Sequence, residues 1–527
     1  MRARKDTFDY RASKFVQRNK LRVAAAAIIF VTLVAGVVAT IREARIARAE
    51  RARAEHRFSD VRKLANSFMF EFHDAIKDLP GSLKARQLVV QKALTYLDNL
   101  AQEAGDDKAL QSELAVSYDK IGSLTFDVSK SLEIHLKALS LNEALVRAEP
   151  ANTKYQEQLA ASYGYVADLS RQSGNISGAL DNRKKAQDVM EVLAASEPSN
   201  IRFRSQLADV YEEMSMTLTE IGQILQAMEQ GRKALAIREV VAKTEPAKAE
   251  YRFSLALDYI LVGGALLELG ENAGALENYR KALTVSESLL ASDAISSRYR
   301  RNIWVCYSRV GDALIRTGDL TAALASYRKG LSFIEGLAAA DPDDKGHARG
   351  ISVTYLKIGN VLAGMGKTGA ALESCRKALA ISENLLAFDP SKAETRLDLA
   401  KIYTSMGGLF TSFGDLAKAQ DYLRKGQERF EESAKSDPKA VTPRKGLATA
   451  YASIGELQAR LALHASGINR IQTEHWREAR LSYQKSLDIW RELRESGRLI
   501  GADAGKPEEI AREIAKCDAA ISSGPTP

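Results

Sequence analysis

Apolar residues recur at helical spacing along most of the chain, and the pattern predicts helices joined in pairs. In one such pair, four apolar residues fall on one face of the first helix: Ile303, Tyr307, Val310 and Leu314. Gly318 predicts the end of this helix, because glycine adopts the left-handed cap conformation at little cost. A second helix is predicted from about 321 to 339, and Pro342 follows its end because proline lacks a backbone donor. Each pair is therefore a helical hairpin with one apolar face.

The same hairpin recurs with a period of 48 residues, which three series of residues share. Tyrosines mark the first helix: Tyr163, Tyr211, Tyr259, Tyr307, Tyr355, Tyr403 and Tyr451. Glycines mark the turn: Gly174, Gly222, Gly270, Gly318, Gly366 and Gly414. Chain breakers follow the second helix: Pro150, Pro198, Pro246, then Ala294 in place of proline, Pro342, Pro390 and Pro438. A single hairpin cannot bury its apolar face, whereas stacked hairpins can, so the period predicts an all-α solenoid.

Within each period, the small residues resemble those of the tetratricopeptide repeat (TPR) family. Counted from the tyrosine, position +4 is small in every unit, and position +16 is alanine in six: Ala179, Ala227, Ala275, Ala323, Ala371 and Ala419. The family's aromatic at +20 is kept only in Tyr279 and Tyr327. The period exceeds the family's usual one of about 34 residues, which we interpret as about two added turns in each helix. The predicted fold is an α-solenoid of long-helix TPR-like hairpins.

One segment before the repeats is long and apolar enough to cross a membrane. Residues 23–41, VAAAAIIFVTLVAGVVATI, contain no charge, and a helix of that length roughly matches a hydrocarbon core of ~30 Å. A cleaved signal peptide is the alternative, but its apolar region is usually shorter, about 7–15 residues. Here the apolar run continues into a charged stretch, IREARIARAERARAEHR. The sequence therefore favours an uncleaved transmembrane helix at 23–41.

The net charge of +8 is concentrated around this apolar segment. Residues 1–57 hold 14 Lys and Arg against 5 Asp and Glu, so the rest of the chain carries about −1. A nucleic-acid-binding protein is expected to carry basic stripes through its folded body, and we therefore predict no nucleic-acid partner. Eight basic residues before the segment against six after it give a weak bias toward a cytoplasmic N-terminus and repeats on the other side.

The remaining divisions follow from breaks in the apolar pattern. A juxtamembrane helix is predicted at 42–80, either as an amphipathic helix that packs on the next one or as a coiled coil that dimerises the chain. The other predicted segments are a basic cytoplasmic tail (1–22), an N-terminal helix of the array (81–108), a TPR-like array of about eight hairpins (109–496), a capping helix (506–521) and a disordered tail (522–527).

A wider resemblance covers the chain from about Phe8 onward. The basic segment FDYRASKFVQRNK, the stretch FSDVRKLANSFMFEFHDAIKDLPGS and the C-terminal WREARLSYQKSLDIW and KPEEIAREIAKCDAAI are similar to the C-terminal half of bacterial membrane-bound serine/threonine protein kinases with TPR ectodomains. The resemblance implies the cell inner membrane, a cytoplasmic N-terminus and extracytoplasmic repeats. The chain has no kinase motif, neither a Gly-rich loop nor HRD nor DFG, so no catalytic residue is carried over. A split or truncated gene, a misassigned start and an ectodomain that serves alone all stay open.

No motif in the chain predicts catalysis, a cofactor or a metal site. The stretch 365–368, MGKT, resembles the end of a phosphate-binding loop, but Val361 stands where that motif requires glycine. The six histidines show no metal-ligand spacing. Cys306 and Cys375 lie in apolar helical stretches and are predicted to be buried as small hydrophobic residues. We therefore predict a protein that is not an enzyme and binds no cofactor.

These patterns favour a scaffold or sensor that binds a protein or peptide along the surface lined by its first helices. The candidate groove residues flank the tyrosine and glycine markers: Asp168, Arg171, Asp312, Arg316 and Asn360. Equivalent positions in other repeats include Met216 and Leu267, so no basic clamp for a C-terminal carboxylate is predicted. The alternatives are the regulatory half of a split or truncated serine/threonine kinase signalling system and a structural protein that self-associates through 42–79.

Overall fold

The computed structural model describes residues 8–45 except 22, 27, 39 and 44, together with 83–436, 440–465, 469–499 and 501–522. Most of the predicted juxtamembrane helix 42–80, with its dimer interface, and residues 523–527 of the tail lie outside these ranges. The regular elements in the described ranges are helices: α1 (Phe8–Arg18), α2 (Val23–Glu43), α3 (Leu83–Glu103), α4 (Lys108–Ser123), α5 (Val128–Ala148), α6 (Thr153–Gln172), α7 (Ile176–Ser196), α8 (Ile201–Glu220), α9 (Ile224–Thr244), α10 (Ala249–Glu268), α11 (Asn272–Ser292), α12 (Ser297–Arg316), α13 (Leu320–Ala340), α14 (Lys345–Gly364), α15 (Thr368–Phe388), α16 (Ala393–Phe413), α17 (Leu416–Ser436), α18 (Val441–His464), α19 (Asn469–Glu495) and α20 (Lys506–Ser522).

The chain divides into two compact units, Met1–Leu141 and Asn142–Pro527. In the first unit, apolar residues of α3, α4 and α5 form a buried core that includes Leu97, Leu114 and Ile134. In the second unit, consecutive helices from α6 to α19 pair as antiparallel hairpins that stack in chain order. The all-helical repeat predicted from the 48-residue period is therefore confirmed.

The hairpins of the second unit have long helices of nearly equal length. From α6 to α17 every first helix has 20 or 21 residues and every second helix has 21. Both helices are thus lengthened together, as the period predicted. In the last hairpin, the inserted residues lengthen both arms, so α18 has 24 residues and α19 has 27.

The glycine at each turn adopts the backbone conformation that the sequence predicted. Gly174, Gly222, Gly270, Gly318, Gly366 and Gly414 all have φ between 73° and 87°. The N–H that follows each glycine donates to a carbonyl five residues back, as Asp319 N does to Leu314 O at 3.0 Å. This pattern satisfies carbonyls that the end of the first helix leaves without a partner.

The two helices of a hairpin approach most closely at the small residue in position +4. A Cβ placed on Gly263, Gly311, Gly359 or Gly407 would lie between 2.5 and 2.7 Å from the side chain at position +20. That side chain is Tyr279, Tyr327, Cys375 or Leu423 in turn. Side chains of several types at position +20 can therefore pack against the +4 glycine. This explains why the family's aromatic residue at +20 is kept only twice.

A repeated hydrogen bond, which the sequence analysis missed, joins each first helix to the second helix before it. Each marker tyrosine donates its hydroxyl to a glutamate 20 residues earlier, at 2.7–3.2 Å: Glu143, Glu191, Glu239, Glu287, Glu335, Glu383 and Glu431. A lysine 22 residues after the tyrosine lies over its ring in five units: Lys185, Lys233, Lys281, Lys329 and Lys377. Burial, more than the bond to Glu287, raises the pKa of Tyr307 to about 12, so its hydroxyl keeps the proton that it donates.

The interior of the second unit changes character along the array. From α10 to α18 the core is apolar, and its buried residues include Val310, Leu324 and Ile402. Between α6 and α10 the packed helices enclose charged side chains, among them Arg183 and Arg238, as well as apolar ones such as Phe203 and Leu207. The earlier hairpins therefore combine an apolar core with buried arginine ion pairs.

The Arg238 guanidinium of α9 is the centre of a buried ionic cluster. It donates to Ser205 Oγ at 2.7 Å and to Asp209, and it lies 3.8 Å from Glu212. Asp258 of α10 is wholly buried, and its Oδ2 lies 3.5 Å from Arg238 Nε, too far for a good hydrogen bond. Burial, helped by the charge of Glu212 and opposed by that of Arg238, raises the pKa of Asp258 to about 8. Burial likewise raises the pKa of Glu212 to about 7.

Helix α2 is the one helix in the described residues that is long and apolar enough to cross a membrane, with a mean hydropathy of 2.5. By length and composition it fits either a membrane span or a signal sequence near the N-terminus. Its apolar side chains are exposed, including Ile28, Phe30 and Leu33.

The C-terminal part of the second unit packs on the last hairpin and also returns to an earlier one. Ile510, Ile514 and Cys517 of α20 are buried against α19. The connection between these helices contains a short 3-10 turn, Gly501–Asp503, which contacts α10. A Cβ on Gly501 would lie 1.7 Å from the carbonyl oxygen of Glu268, so the two backbones touch.

Candidate functional site

The first helices of the second unit each have one packed side and one open side, and α12 shows the arrangement clearly. Ile303, Val310 and Leu314 are buried against the neighbouring helices. Three arginines on the same helix are exposed: Arg301, Arg309 and Arg316. Their spacings of eight and seven residues place them within about 80° of arc and about 22 Å along the helix axis. We call these three residues the α12 arginine strip.

Adjacent first helices are tied to one another along this open side. Arg298 of α12 forms two hydrogen bonds with Glu250 of α10, at 2.8 and 2.9 Å. Arg349 of α14 donates to Asp398 of α16 at 2.7 Å. Such paired contacts fix the register of neighbouring helices, so that the first helices present one continuous surface.

The structure places two of the predicted groove residues on α6, where both stabilise the stack. Asp168 accepts a hydrogen bond from the buried guanidinium of Arg183 at 2.6 Å. Arg183 also binds Glu213 of the next hairpin and donates to Thr217 Oγ1 at 3.1 Å. Arg171 pairs with Glu220 across the same junction, at 3.0 Å. These side chains already have partners within the fold.

The other three predicted groove residues lie on α12 and α14. Asp312 accepts from the Tyr327 hydroxyl at 2.7 Å and from Lys357 Nζ at 2.7 Å, so its carboxylate is also committed to the fold. Arg316 and Asn360 are exposed. In the described ranges, their side chains form no hydrogen bond or ion pair. Of the five predicted residues, only these two offer polar groups that the fold does not use.

Sequence reasoning missed Arg301 and Arg309, which complete the strip with Arg316. Residues that recur in every repeat do not reveal these two arginines, because no other unit has Arg or Lys at all three positions. In the following unit the corresponding residues are Arg349, Lys357 and Gly364. A search of each helix for like charges seven or eight residues apart would have found them. The same period would have revealed the glutamates and lysines around the marker tyrosines.

A cleft lies where α10 and α11 meet the end of α12. It is an open cleft of about 820 Å³ lined by apolar and charged side chains, including Leu276, Arg280 and Leu314. Tyr259 and Lys281 of the inter-hairpin contacts also line it. The cleft therefore borders residues that hold successive hairpins together.

Cys306 and Cys375 lie in the core and not on these surfaces. Burial raises the pKa of the Cys306 and Cys375 thiols to about 12, so neither is a thiolate near neutral pH. Both are fully buried, as the sequence predicted. Within the described ranges, no three His, Cys, Asp or Glu side chains are grouped to hold a metal ion. Exposed guanidiniums, by contrast, suit the recognition of carboxylates.

Comparison with known proteins identifies the repeat in one hairpin. Residues 352–390, which span most of α14 and all of α15, match the family model for the tetratricopeptide repeat. This match confirms the TPR-type assignment for that hairpin, whose residue pattern the other hairpins of the array share. No curated protein matches the chain in sequence.

Several solved structures are similar in arrangement at low sequence identity. The apo form of RapI is 14% identical, with 80% of this chain and 99% of that chain covered and a TM-score of 0.44. A Rap protein complexed with competence and sporulation factor is 11% identical, covers 80% of this chain and 100% of that chain, and has a TM-score of 0.41. A signal-transduction ATPase (STAND) with a tetratricopeptide repeat sensor from Pyrococcus horikoshii is 14% identical, with coverages of 79% and 54% and a TM-score of 0.40.

Proposed function

We propose that this chain is a scaffold or sensor that binds a protein or peptide along the open side of its first helices. The observation that carries the proposal is that α12 and α14 each have one side packed in the core and another side with exposed polar residues. Their inner sides are filled by the core, while Arg301, Arg309, Arg316 and Asn360 stay exposed on the surface that adjacent first helices share. A stable array has no need of such groups for its own packing, and helical repeats commonly use this surface for binding.

Site-specific photo-crosslinking in membranes of the native host tests this proposal. A photo-reactive amino acid in place of Asn360 should capture a partner, because this position lies on the proposed surface. The same amino acid in place of Arg328, which is exposed on the second helix α13, should capture little or none. Equal adducts at both positions, or adducts at 328 alone, would remove the first-helix surface as the binding site.

We also propose that α2 anchors the chain in the inner membrane, with its N-terminus in the cytoplasm and the repeats outside. Apolar side chains are exposed along α2, and its hydroxyls are satisfied within the helix: Thr32 Oγ1 donates to Ile28 O at 2.9 Å and Thr40 Oγ1 to Gly36 O. Internal satisfaction of polar groups is what a hydrocarbon environment requires. Mass spectrometry of the purified chain should find residues 1–41 intact after carbonate extraction of membranes. A mature N-terminus beyond residue 41 would establish a signal peptide instead.

The second candidate is the regulatory half of a serine/threonine kinase signalling system, which the resemblance of the segments from Phe8 onward favours. The matched family model describes a repeat alone, so this association stays a prediction. The DNA before the codon for Met1 tests it. An in-frame kinase domain there, or a kinase gene adjacent to it, supports the association, and the absence of both leaves the scaffold.

A further inference from the structure

The charges on α12 are out of balance with those of the fold around them. Helix α12 contains five arginines against one acidic residue, Asp312. Asp312 already accepts hydrogen bonds from Tyr327 and Lys357. Arg309 approaches it no closer than 3.8 Å, and Arg309 has no other ion pair in the described ranges. Arg301 and Arg316 have no carboxylate within 4 Å among the described residues.

Several basic residues on neighbouring first helices are paired with acidic residues, in contrast to the strip. Arg298 is paired with Glu250, and Arg349 is paired with Glu394 and Asp398. Arg202 of α8 is paired with Glu157 of α6. The fold thus supplies acidic partners to several first-helix bases on both sides of α12. It supplies none to Arg301 or Arg316 and only a distant, shared one to Arg309.

Two arginines without an ion pair and a third with only a distant one, all on one helix face, suit an acidic partner. Guanidinium groups form paired hydrogen bonds with carboxylates and are weakly hydrated, so they lose little when an interface covers them. Val305 and Ile315 lie between and beside the arginines on this helix and are partly exposed, which offers apolar contact as well. The strip therefore combines charge with an apolar surface, as interface centres commonly do.

We propose that the α12 arginine strip binds an acidic segment of a partner protein, a specification that rests on the binding function proposed above. The arginines are spaced by about 12 Å and about 10 Å along the axis of α12. An extended chain of the polyproline II type advances about 3.1 Å per residue and presents the same face every third residue, so carboxylates three or four residues apart reach successive arginines. The partner segment is thus an extended one with Asp or Glu at every third or fourth position.

Protein is favoured over nucleic acid by the surroundings of the strip. Glu250, Asp312 and Glu394 lie on the same surface of adjacent first helices, and a phosphate backbone would meet them as like charges. The chain beyond residue 57 carries about −1 in total. A nucleic-acid site draws its affinity from many phosphate contacts and a broad basic field, which three arginines on one helix do not supply.

The test uses the full chain in detergent and a fluorescent peptide of about ten residues with Glu at every third position. Fluorescence anisotropy should detect binding that weakens as salt is raised. A peptide with Gln at those positions should bind at least about tenfold more weakly. Arg301→Gln, Arg309→Gln and Arg316→Gln should each weaken binding about threefold to fivefold. Arg328→Gln, an exposed arginine of α13, should have no effect.

Photo-crosslinking at position 360 and binding of single-stranded DNA show whether a negative result contradicts the acidic-segment inference alone or the binding function as well. Equal binding of the Glu and Gln peptides, no binding of either, or no effect of the three substitutions would overturn the acidic-segment inference. If photo-crosslinking at 360 still captures a partner in those cases, the binding function stands without it. Tighter binding of single-stranded DNA than of the Glu peptide, lost in the same three variants, would assign the strip to nucleic acid and overturn the inference.

Discussion

Single buried residues in the second unit show how the surroundings change a side chain's chemistry. Asp258 is an ordinary acidic residue in the sequence, yet in the structure it is wholly enclosed at the junction of α8, α9 and α10. The charged groups that face it are Arg238 of α9 and Glu212 and Asp209 of α8. Loss of water disfavours its charged form more than Arg238 restores it. The junction therefore binds a proton that an exposed aspartate would release.

This proton makes the stability of the early hairpins depend on pH. The pKa of Asp258 rises from 3.8 to about 8 on folding. The stabilisation is thus complete below about pH 4 and is lost as pH rises through about 8. We expect the melting temperature to fall between about pH 5 and pH 8, and to fall less in Asp258→Asn. Asp343→Asn, in the exposed loop after α13, should keep the wild-type dependence. Identical profiles for wild type and Asp258→Asn would contradict the raised pKa.

The two helices of a hairpin pack closely where a small residue on the first helix contacts a side chain of the second helix. Gly311 of α12 receives the ring of Tyr327 from α13, and the Tyr327 hydroxyl is held by Asp312. The sequence showed that position +4 is small in every unit. It did not show the partners at +20, because tyrosine, cysteine and leucine all fill the same space. The close contact recurs across these hairpins although the residue type at +20 changes.

A methyl group at this contact should force the two helices apart. In Gly311→Ala the new Cβ would lie 2.5 Å from the Tyr327 ring, and overpacking of this kind costs about 1–3 kcal/mol. Hydrogen exchange in α12 and α13 should become faster accordingly. Gly336→Ala is the matched control in the same hairpin, because no atom lies within 4 Å of its added Cβ. Alanine there should stabilise α13 by about 0.5–1 kcal/mol. Equal exchange rates in the two variants would refute the close approach.

Within the second unit, the C-terminal part of the chain contacts helices that are more than two hundred residues earlier in the sequence. The connection between α19 and α20 reaches the ends of α8 and α10, where Arg498 lies beside Gly222 and Gly501 beside Glu268 and Gly270. Lys445 of α18 holds the same connection through Asp503, at 2.9 Å. This contact restrains the middle of the array from its C-terminal end.

Removal of this contact should loosen the end of α10 at a distance from the substituted residue. Gly501→Ala brings a Cβ within 1.7 Å of the Glu268 carbonyl oxygen, so the connection must move away. Hydrogen exchange at residues 262–272 should then become faster. Gly497→Ala is the control, because Gly497 also has a positive φ of 68° but has no atom within 4 Å of the added Cβ. The same change in both variants would attribute the effect to backbone strain alone.

The candidate site was partly accessible to sequence reasoning. Arg316 and Asn360 are exposed on first helices, and helical spacing is enough to show which residues share a face. Their part in binding stays a prediction. Asp168, Arg171 and Asp312 satisfy the same spacing, but the structure assigns them to partners on neighbouring helices. Those partners lie 15, 49 and 45 residues away. Spacing within one helix contains no information about such pairs.

The sequence alone determined the repeating hairpin, its turn and the length of its helices, because these depend on local backbone preferences and on a period that recurs every 48 residues. It also located the apolar segment, since length and composition suffice for that. Only the tertiary structure decided which charges neutralise one another, which acid is buried deeply enough to hold a proton, and where the C-terminal connection returns to α10. Those outcomes depend on distances between residues far apart in the chain, and stacking alone sets these distances.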